Sequence, residues 1–170
     1  MPNPTMKLPA YAILARNYPT GTAEETKKVI GGNVNLPWLE NTCAVRVSRS
    51  LNYAGKSFEI PMTVPGLATS GGKDGKRYAF RVDELSNFLR GKYGPPTIEL
   101  VGSEIKLKAF QGKQGIIAWH AGGMSDATGH FTLWDGKKGL YQAGVDWFSL
   151  PVTKPEVGKW LKSVELWVCP

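Results

Sequence analysis

The chain has 170 residues, 42% hydrophobic and 21% charged, which suits one compact domain over residues 1–170 and excludes wholesale disorder. No apolar run approaches the roughly 18 residues of a membrane span. The net charge of +7 implies a polyanionic partner, such as nucleic acid, an anionic membrane or an acidic cell-wall polymer. The basic residues are scattered, and neither an RNA-binding aromatic signature nor zinc-finger spacing appears, which argues against nucleic acid. The opening stretch MPNPTMKLPAYAILARNYPTG lacks the apolar region and small-residue cleavage site of a secretory signal. The expectation is a chain made in the cytoplasm, carried outward by other machinery if it acts elsewhere.

The first predicted helix begins at Thr22, whose spacing to Glu25 fits a capping box, and runs to Ile30 before Gly31-Gly32 stops it. Residues 33–41 form a loop carrying Pro37 and Trp38. Residues 41–55 follow as an amphipathic helix capped by Asn41 or Thr42. Ala44, Val47 and Leu51 recur on one face, Arg46 and Arg49 fall towards the other, and Gly55 closes it. Residues 56–77, rich in glycine and proline, read as an irregular excursion, either a lid or disordered. A short helix over residues 83–90 stops at Gly91, ahead of Pro95-Pro96. The remainder turns to strands, expected at 98–101, 105–110, 115–120, 129–134, 139–144 and 164–169. Helices first and then an antiparallel sheet make an α+β fold, the helices packing on the sheet.

Two cysteines and two histidines bound the nucleophilic chemistry available. Cys43 sits at the start of its helix, where unpaired backbone N–H groups and the helix dipole favour an anion and lower a thiol's pKa. The same residue also suits plain packing at a helix start. Cys169, next to last, reads as a half-buried small apolar residue, and the sequence does not pair it with Cys43. For a base, His130 opens a strand after a small-residue loop, which gives a rigid mount and open access. It is preferred over His120, which ends the preceding strand. A hairpin turning near Asp135-Gly136 places His130 opposite residue 142 or 143, so Gln142 becomes a lateral neighbour able to orient the imidazole. Asp135 lies too far along the strand and serves the turn. Asp146 reaches His130 only if the chain bends back. The tryptophans Trp38, Trp119, Trp134 and Trp147 read as core anchors, with a binding groove as the alternative.

Four segments carry a family resemblance: TCAVRVSRSLNYAG around Cys43, FRVDELSNFLRGKYGPP, GKQGIIAWHAG, and GHFTLWDG around His130. In this order, within residues 37–136, they resemble the type VI secretion amidase effectors of family 4, papain-like peptidoglycan amidases injected into a competitor's periplasm. The resemblance implies a papain-like, cell-wall amidase fold and cleavage of the D-glutamate–meso-diaminopimelate bond of stem peptides. It implies Cys43 as nucleophile, His130 as base and a third residue near Tyr141 and Gln142. No acid stands there, which leaves Gln142 as a substitute or Asp146 after a loop shift. It further implies delivery by the type VI secretion machinery and a cognate immunity protein plugging the cleft. No metal or cofactor and no membrane insertion are expected. The alternatives are a cysteine peptidase or acyltransferase acting on other amides, and a non-catalytic cell-wall-binding module.

Overall fold

The computed structural model describes residues 5–125, 127–138, 140–141 and 147–170, with Leu140 and Tyr141 described by their backbone alone. The helical layer comprises α1 (Tyr11–Asn17), α2 (Ala23–Ile30), α3 (Cys43–Asn52) and α4 (Val82–Tyr93). The capping box at α2 forms as its spacing predicts: Glu25 N–H donates to Thr22 Oγ1 at 3.1 Å, and Thr22 N–H to Glu25 Oε2 at 2.8 Å. Gly31, at φ 66°, then ends the helix in a conformation that favours glycine. α1 has no sequence signal, because it is seven residues long and its N-cap residue, Ala10, makes no capping bond. α4 runs through Gly91 and stops at Gly94, φ 89°, three residues beyond the expected end. A single interior glycine costs a helix only about 1 kcal/mol, and buried Leu85, Leu89 and Tyr93 hold the last turn.

The main sheet is antiparallel, in the order β3 (Ile98–Val101), β7 (Trp160–Val168), β4 (Gln114–Gly122), β5 (Gly129–Asp135), β6 (Leu140–Tyr141). Its helix-facing side presents Ile116, Ala118, Phe131, Leu133 and Trp167 to Leu14, Ala44, Val47, Leu51, Leu85 and Leu89. The far side, with Ile117, Trp119, Trp134 and Leu166, is covered by Ile105, Phe110 and Trp147. Burial of each such side chain contributes about 1.5–3 kcal/mol. The expected strand at residues 105–110 is absent. Gly102, at φ 55°, turns the chain off the sheet after β3, and 3-10 turns at Gly102–Glu104 and Leu107–Ala109 lay Ile105 and Phe110 over the far side. Leu107 is exposed.

Residues 56–77 are neither disordered nor free-standing. They begin with a 3-10 turn at Lys56–Phe58, bury Ile60 and Leu67 in the helix-side core, and end in a small hairpin of β1 (Thr69–Gly71) and β2 (Arg77–Ala79). That hairpin is bonded to α3: Asn52 Nδ2 donates to Arg77 O at 2.7 Å, and Ala79 N–H to Ser48 Oγ at 3.0 Å. α3 is therefore enclosed by α1, β2 and β5 rather than two-faced, and even Arg46 is buried. No helix among the described residues is long and apolar enough to cross a membrane.

Candidate active site

Thr42 occupies the N-cap of α3 without capping it; the Asn41 side chain instead accepts the Cys43 N–H at 3.0 Å. Cys43 is 5% exposed, and the backbone N–H groups of Phe131, Ala44 and Cys43 face its sulfur. Burial outweighs these amides and the nearby Arg46, pushing the thiol up to about 11 rather than down as a helix N-terminus alone predicts. The resting group is thus a neutral thiol that needs a base.

Phe131 follows His130 on β5, so the sulfur stands against the strand that carries the histidine. His130 belongs to the far face, opposite Trp119 on β4, whereas Cys43 packs on the helix face. Tyr18, in the helix-side core, bonds Thr132 on the far face at 3.1 Å, which links the two sides at this strand, and the described part of β6 pairs only with Trp134 and Asp135. The His130 ring is stacked between Trp119, 5.8 Å away at 26°, and Trp147, 5.3 Å away at 2°. Two aromatic walls restrict its rotation and leave its ring edge, which carries the nitrogens, to define its chemistry.

His120 is held quite differently. Its Nδ1 lies 3.0 Å from Asp83 Oδ1 and its Nε2 2.8 Å from Glu165 Oε2. Burial pulls its pKa down, but the hydrogen bonds and charges of Glu165 and Asp83 win and raise it. Both nitrogens face carboxylates, an arrangement that favours the charged ring and engages both of its polar atoms.

Gln142 and Asp146, the two candidates for orienting the imidazole, lie outside the described residues. The described pairs do alter the hairpin register. Trp134 pairs with Tyr141 and Asp135 with Leu140, where the predicted turn sets Trp134 against residue 138 or 139. Asp135 is the turn former it was expected to be, its Oδ1 accepting Lys137 N–H at 3.2 Å and Gln114 Nε2 at 3.0 Å. Cys169 is a free, buried thiol, as is Cys43, so no disulfide joins them. Of the four tryptophans, Trp119, Trp134 and Trp147 are core residues and Trp38 is exposed.

A cleft of about 480 Å³ runs from Asn41, two residues before Cys43, to Thr128, two residues before His130, walled by Phe80, Arg81, Asp83, Glu84 and Met124. It continues past Asn41 into a hollow of about 260 Å³ lined by Trp38, Phe80 and Arg81. Another apolar hollow of about 510 Å³ lies between residues 61–67 and α4; Cys43 and His130 line neither space, but the cleft ends within two residues of each. Sequence reasoning missed Tyr18, Arg46 and Glu165 around the site. Glu165 alone left a signal, as an acid inside an otherwise apolar strand.

Gly129 fixes the approach of β5 to β4 beside His130. A Cβ there collides with the Trp119 carbonyl oxygen, so even alanine forces the strands apart. Gly129→Ala is expected to cost about 1–3 kcal/mol, read by urea unfolding, and to lower turnover by displacing the neighbouring histidine. Unchanged stability and activity contradict the tight pairing described.

No curated protein sequence matches the chain. Solved structures do. A type VI effector–immunity complex, Tae4–Tai4 from Salmonella Typhimurium, aligns with TM-score 0.82 at 26% identity, over 96% of this chain and 100% of the effector. The Tae4–Tai4 complex from Enterobacter cloacae aligns with TM-score 0.79 at 29% identity, over 96% and 99%. The model of the family Tae4, type VI secretion system (T6SS) amidase effector protein 4, matches residues 39–163, which hold the cysteine helix, the cleft wall and the histidine strand. The chain belongs to that family of amidase effectors.

Proposed function

We propose that residues 1–170 form a single catalytic domain that hydrolyses peptidoglycan stem peptides at the D-glutamate–meso-diaminopimelate bond with Cys43 as nucleophile. The observation that carries this reading is the Cys43 sulfur at the head of α3, lying against the amide of the residue after His130, in a chain of an amidase family. His130 takes the thiol proton as Sγ attacks the amide carbon, since a thiol at about 11 is not ionised beforehand. The N–H groups of Ala44 and Phe131, already aimed at the sulfur, are the nearest donors for the oxyanion. His130 then returns its proton to the amine nitrogen as the C–N bond breaks. Water adds to the thioester with His130 again as base, releasing the free acid and the Cys43 thiol.

The cleft suits such a substrate. Arg81 and Glu84, paired at 2.8 Å, and Asp83, held by His120, are the charged groups of its wall, and they can exchange these partners for the carboxylates and free amine of the stem peptide. Homologous effectors are solved in complex with the immunity protein Tai4, and a cognate immunity protein covering this cleft is the corresponding partner here. The net charge of +7 favours an acidic inhibitor and an anionic wall. Export by the type VI machinery brings the enzyme to the periplasm of a target cell.

Digestion of purified muropeptides, with mass mapping of the products, tests the reading. Fragments ending at D-glutamate and beginning at diaminopimelate are expected. Cleavage elsewhere overturns the bond assignment, and cleavage of general protein substrates instead favours a broader cysteine peptidase. The orienting residue is resolved by two substitutions. If Gln142 holds the imidazole, Gln142→Ala lowers kcat by about tenfold or more while Asp146→Asn leaves it near wild type. The opposite pattern assigns the role to Asp146, which as a carboxylate also stabilises the imidazolium.

A further inference from the structure

Arg46 occupies the face of α3 that the sequence pattern assigns to solvent, yet only 7% of it is exposed. Enclosed guanidinium groups are ordinarily matched by a carboxylate, because an isolated buried charge is costly. Among the described residues, none of the ion pairs within 4.0 Å involves Arg46. Two neutral oxygens hold it instead: Nε donates to Thr42 Oγ1 at 3.2 Å, and Nη1 to Pro19 O at 2.8 Å.

These bonds define where the charge points. Thr42 is the N-cap of α3, so the Arg46 side chain folds back along the helix towards its own N-terminus. Residues three apart on a helix share a face, which puts the guanidinium beside the first turn, where Cys43 stands. The charge is thus clamped between the start of α3 and the segment after α1, whose Tyr18 bonds Thr132 on β5 through its hydroxyl. Its field favours the ionised forms of both Cys43 and Tyr18. It adds to the positive end of the helix dipole and, unlike that dipole, is a full charge.

We propose that Arg46 is a positioning residue whose unpaired guanidinium is the standing counter-charge for the Cys43 thiolate and for the oxyanion that follows. The inference rests on the reading of Cys43 as nucleophile. During attack the proton passes from Sγ to His130, while Arg46 stays protonated throughout and exchanges nothing. Until then the enclosed charge has only neutral hydrogen-bond partners among the described residues. The negative charge created at sulfur is the first to offset it, so the buried cation stabilises the state after proton transfer more than the state before. A carboxylate partner would cancel this advantage.

The ultraviolet thiolate absorbance of the whole protein, titrated with pH and corrected with Cys43→Ala, reads the effect without requiring turnover. Arg46→Met is expected to lower the thiolate fraction at a given pH by about tenfold, one pH unit in the midpoint. Arg46→Lys, which keeps the charge, is expected to stay within about twofold of wild type. In muropeptide assays the loss for Arg46→Met falls on kcat rather than KM. A wild-type titration in Arg46→Met, or an equal shift in Arg46→Lys, overturns the proposal. If circular dichroism shows Arg46→Met unfolded, Thr42→Val decides: it keeps the charge but removes the Nε tether, and a smaller shift in the same direction is expected, with no shift overturning the proposal. Should Cys43→Ala cleave muropeptides at the wild-type rate, the nucleophile reading fails by itself, and the titration still reports whether Arg46 governs the thiol.

Discussion

Cys43→Ala is expected to lower stem-peptide cleavage by at least about a thousandfold while leaving the protein folded. The asymmetry follows from where the side chain sits. Its sulfur is the atom that forms the bond to substrate, but its packing contribution is that of one small buried group at a helix start. Loss of that group costs about 1 kcal/mol, because Ala44, Val47 and Leu51 carry the contact of α3 with the sheet. His130→Ala is expected to lose nearly as much activity, and the double substitution no more than either single one, since thiol and base act as one unit. The thiol's dependence on its base is strong, for burial holds it at about 11 and leaves almost no spontaneous thiolate at neutral pH. Cys169→Ser serves as the control. That thiol lies beyond the end of β7, away from the cleft, and its loss is expected to leave turnover intact. Product release measured by chromatography on equal amounts of folded protein decides the matter: activity in Cys43→Ala near wild type removes it as nucleophile.

Elements whose signals are local were legible in the sequence. The capping box of α2, the helix headed by Cys43, and strands β4 and β5 each depend on neighbours within a few residues, and their ends fall within about two or three residues of expectation. The position of His130 at a strand start followed from the same kind of signal. Features set by distant contacts were not legible. Arg46 has the spacing of a solvent-facing residue, and only the enclosure of α3 by α1, β2 and β5 buries it. Residues 105–110 alternate like a strand, but Gly102 sends them across the far face of the sheet. The hairpin register after β5 depends on where the turn closes, and at the described pairs Trp134–Tyr141 and Asp135–Leu140 it differs by two or three residues from the expected one. The lowered thiol pKa failed for a related reason: helix position is written in the sequence, whereas desolvation depends on everything packed around the site.

Glu165→Ala is expected to destabilise the fold more than either Cys43→Ala or Gly129→Ala. The carboxylate is buried on β7 and collects donors from two elements: Ser86 Oγ of α4 at 2.6 Å, His120 Nε2 of β4 at 2.8 Å, and Arg90 of α4. Removing it leaves the half-buried His120 ring and the Arg90 guanidinium without their shared anion. Such truncations cost about 3–5 kcal/mol, and the lower part of that range applies because Arg90 keeps Glu99 at 2.7 Å and some contact with water. The pH dependence distinguishes this network from simple packing. Burial alone would raise the Glu165 carboxyl, but His120, Ser86 and Arg90 bring it down to about 2. Its contribution is therefore fully present above the ordinary 4.5 and lost as pH falls towards 2. His120 is shifted the other way, so its contribution is fully present below the ordinary 6.5 and fades as pH rises through the raised value. The difference in unfolding free energy between wild type and Glu165→Ala is expected to peak between 4.5 and 6.5 and to shrink on both sides. Urea unfolding below 4.5, between 4.5 and 6.5, and above 6.5 measures it, and a difference that stays the same across all three contradicts the ionic account. The network also reaches the cleft, because His120 holds Asp83 at the head of α4, where Asp83 and Glu84 form one wall. Muropeptide KM in the folded fraction of Glu165→Ala is therefore expected to rise, which couples the buried carboxylate of β7 to a substrate wall it does not itself line.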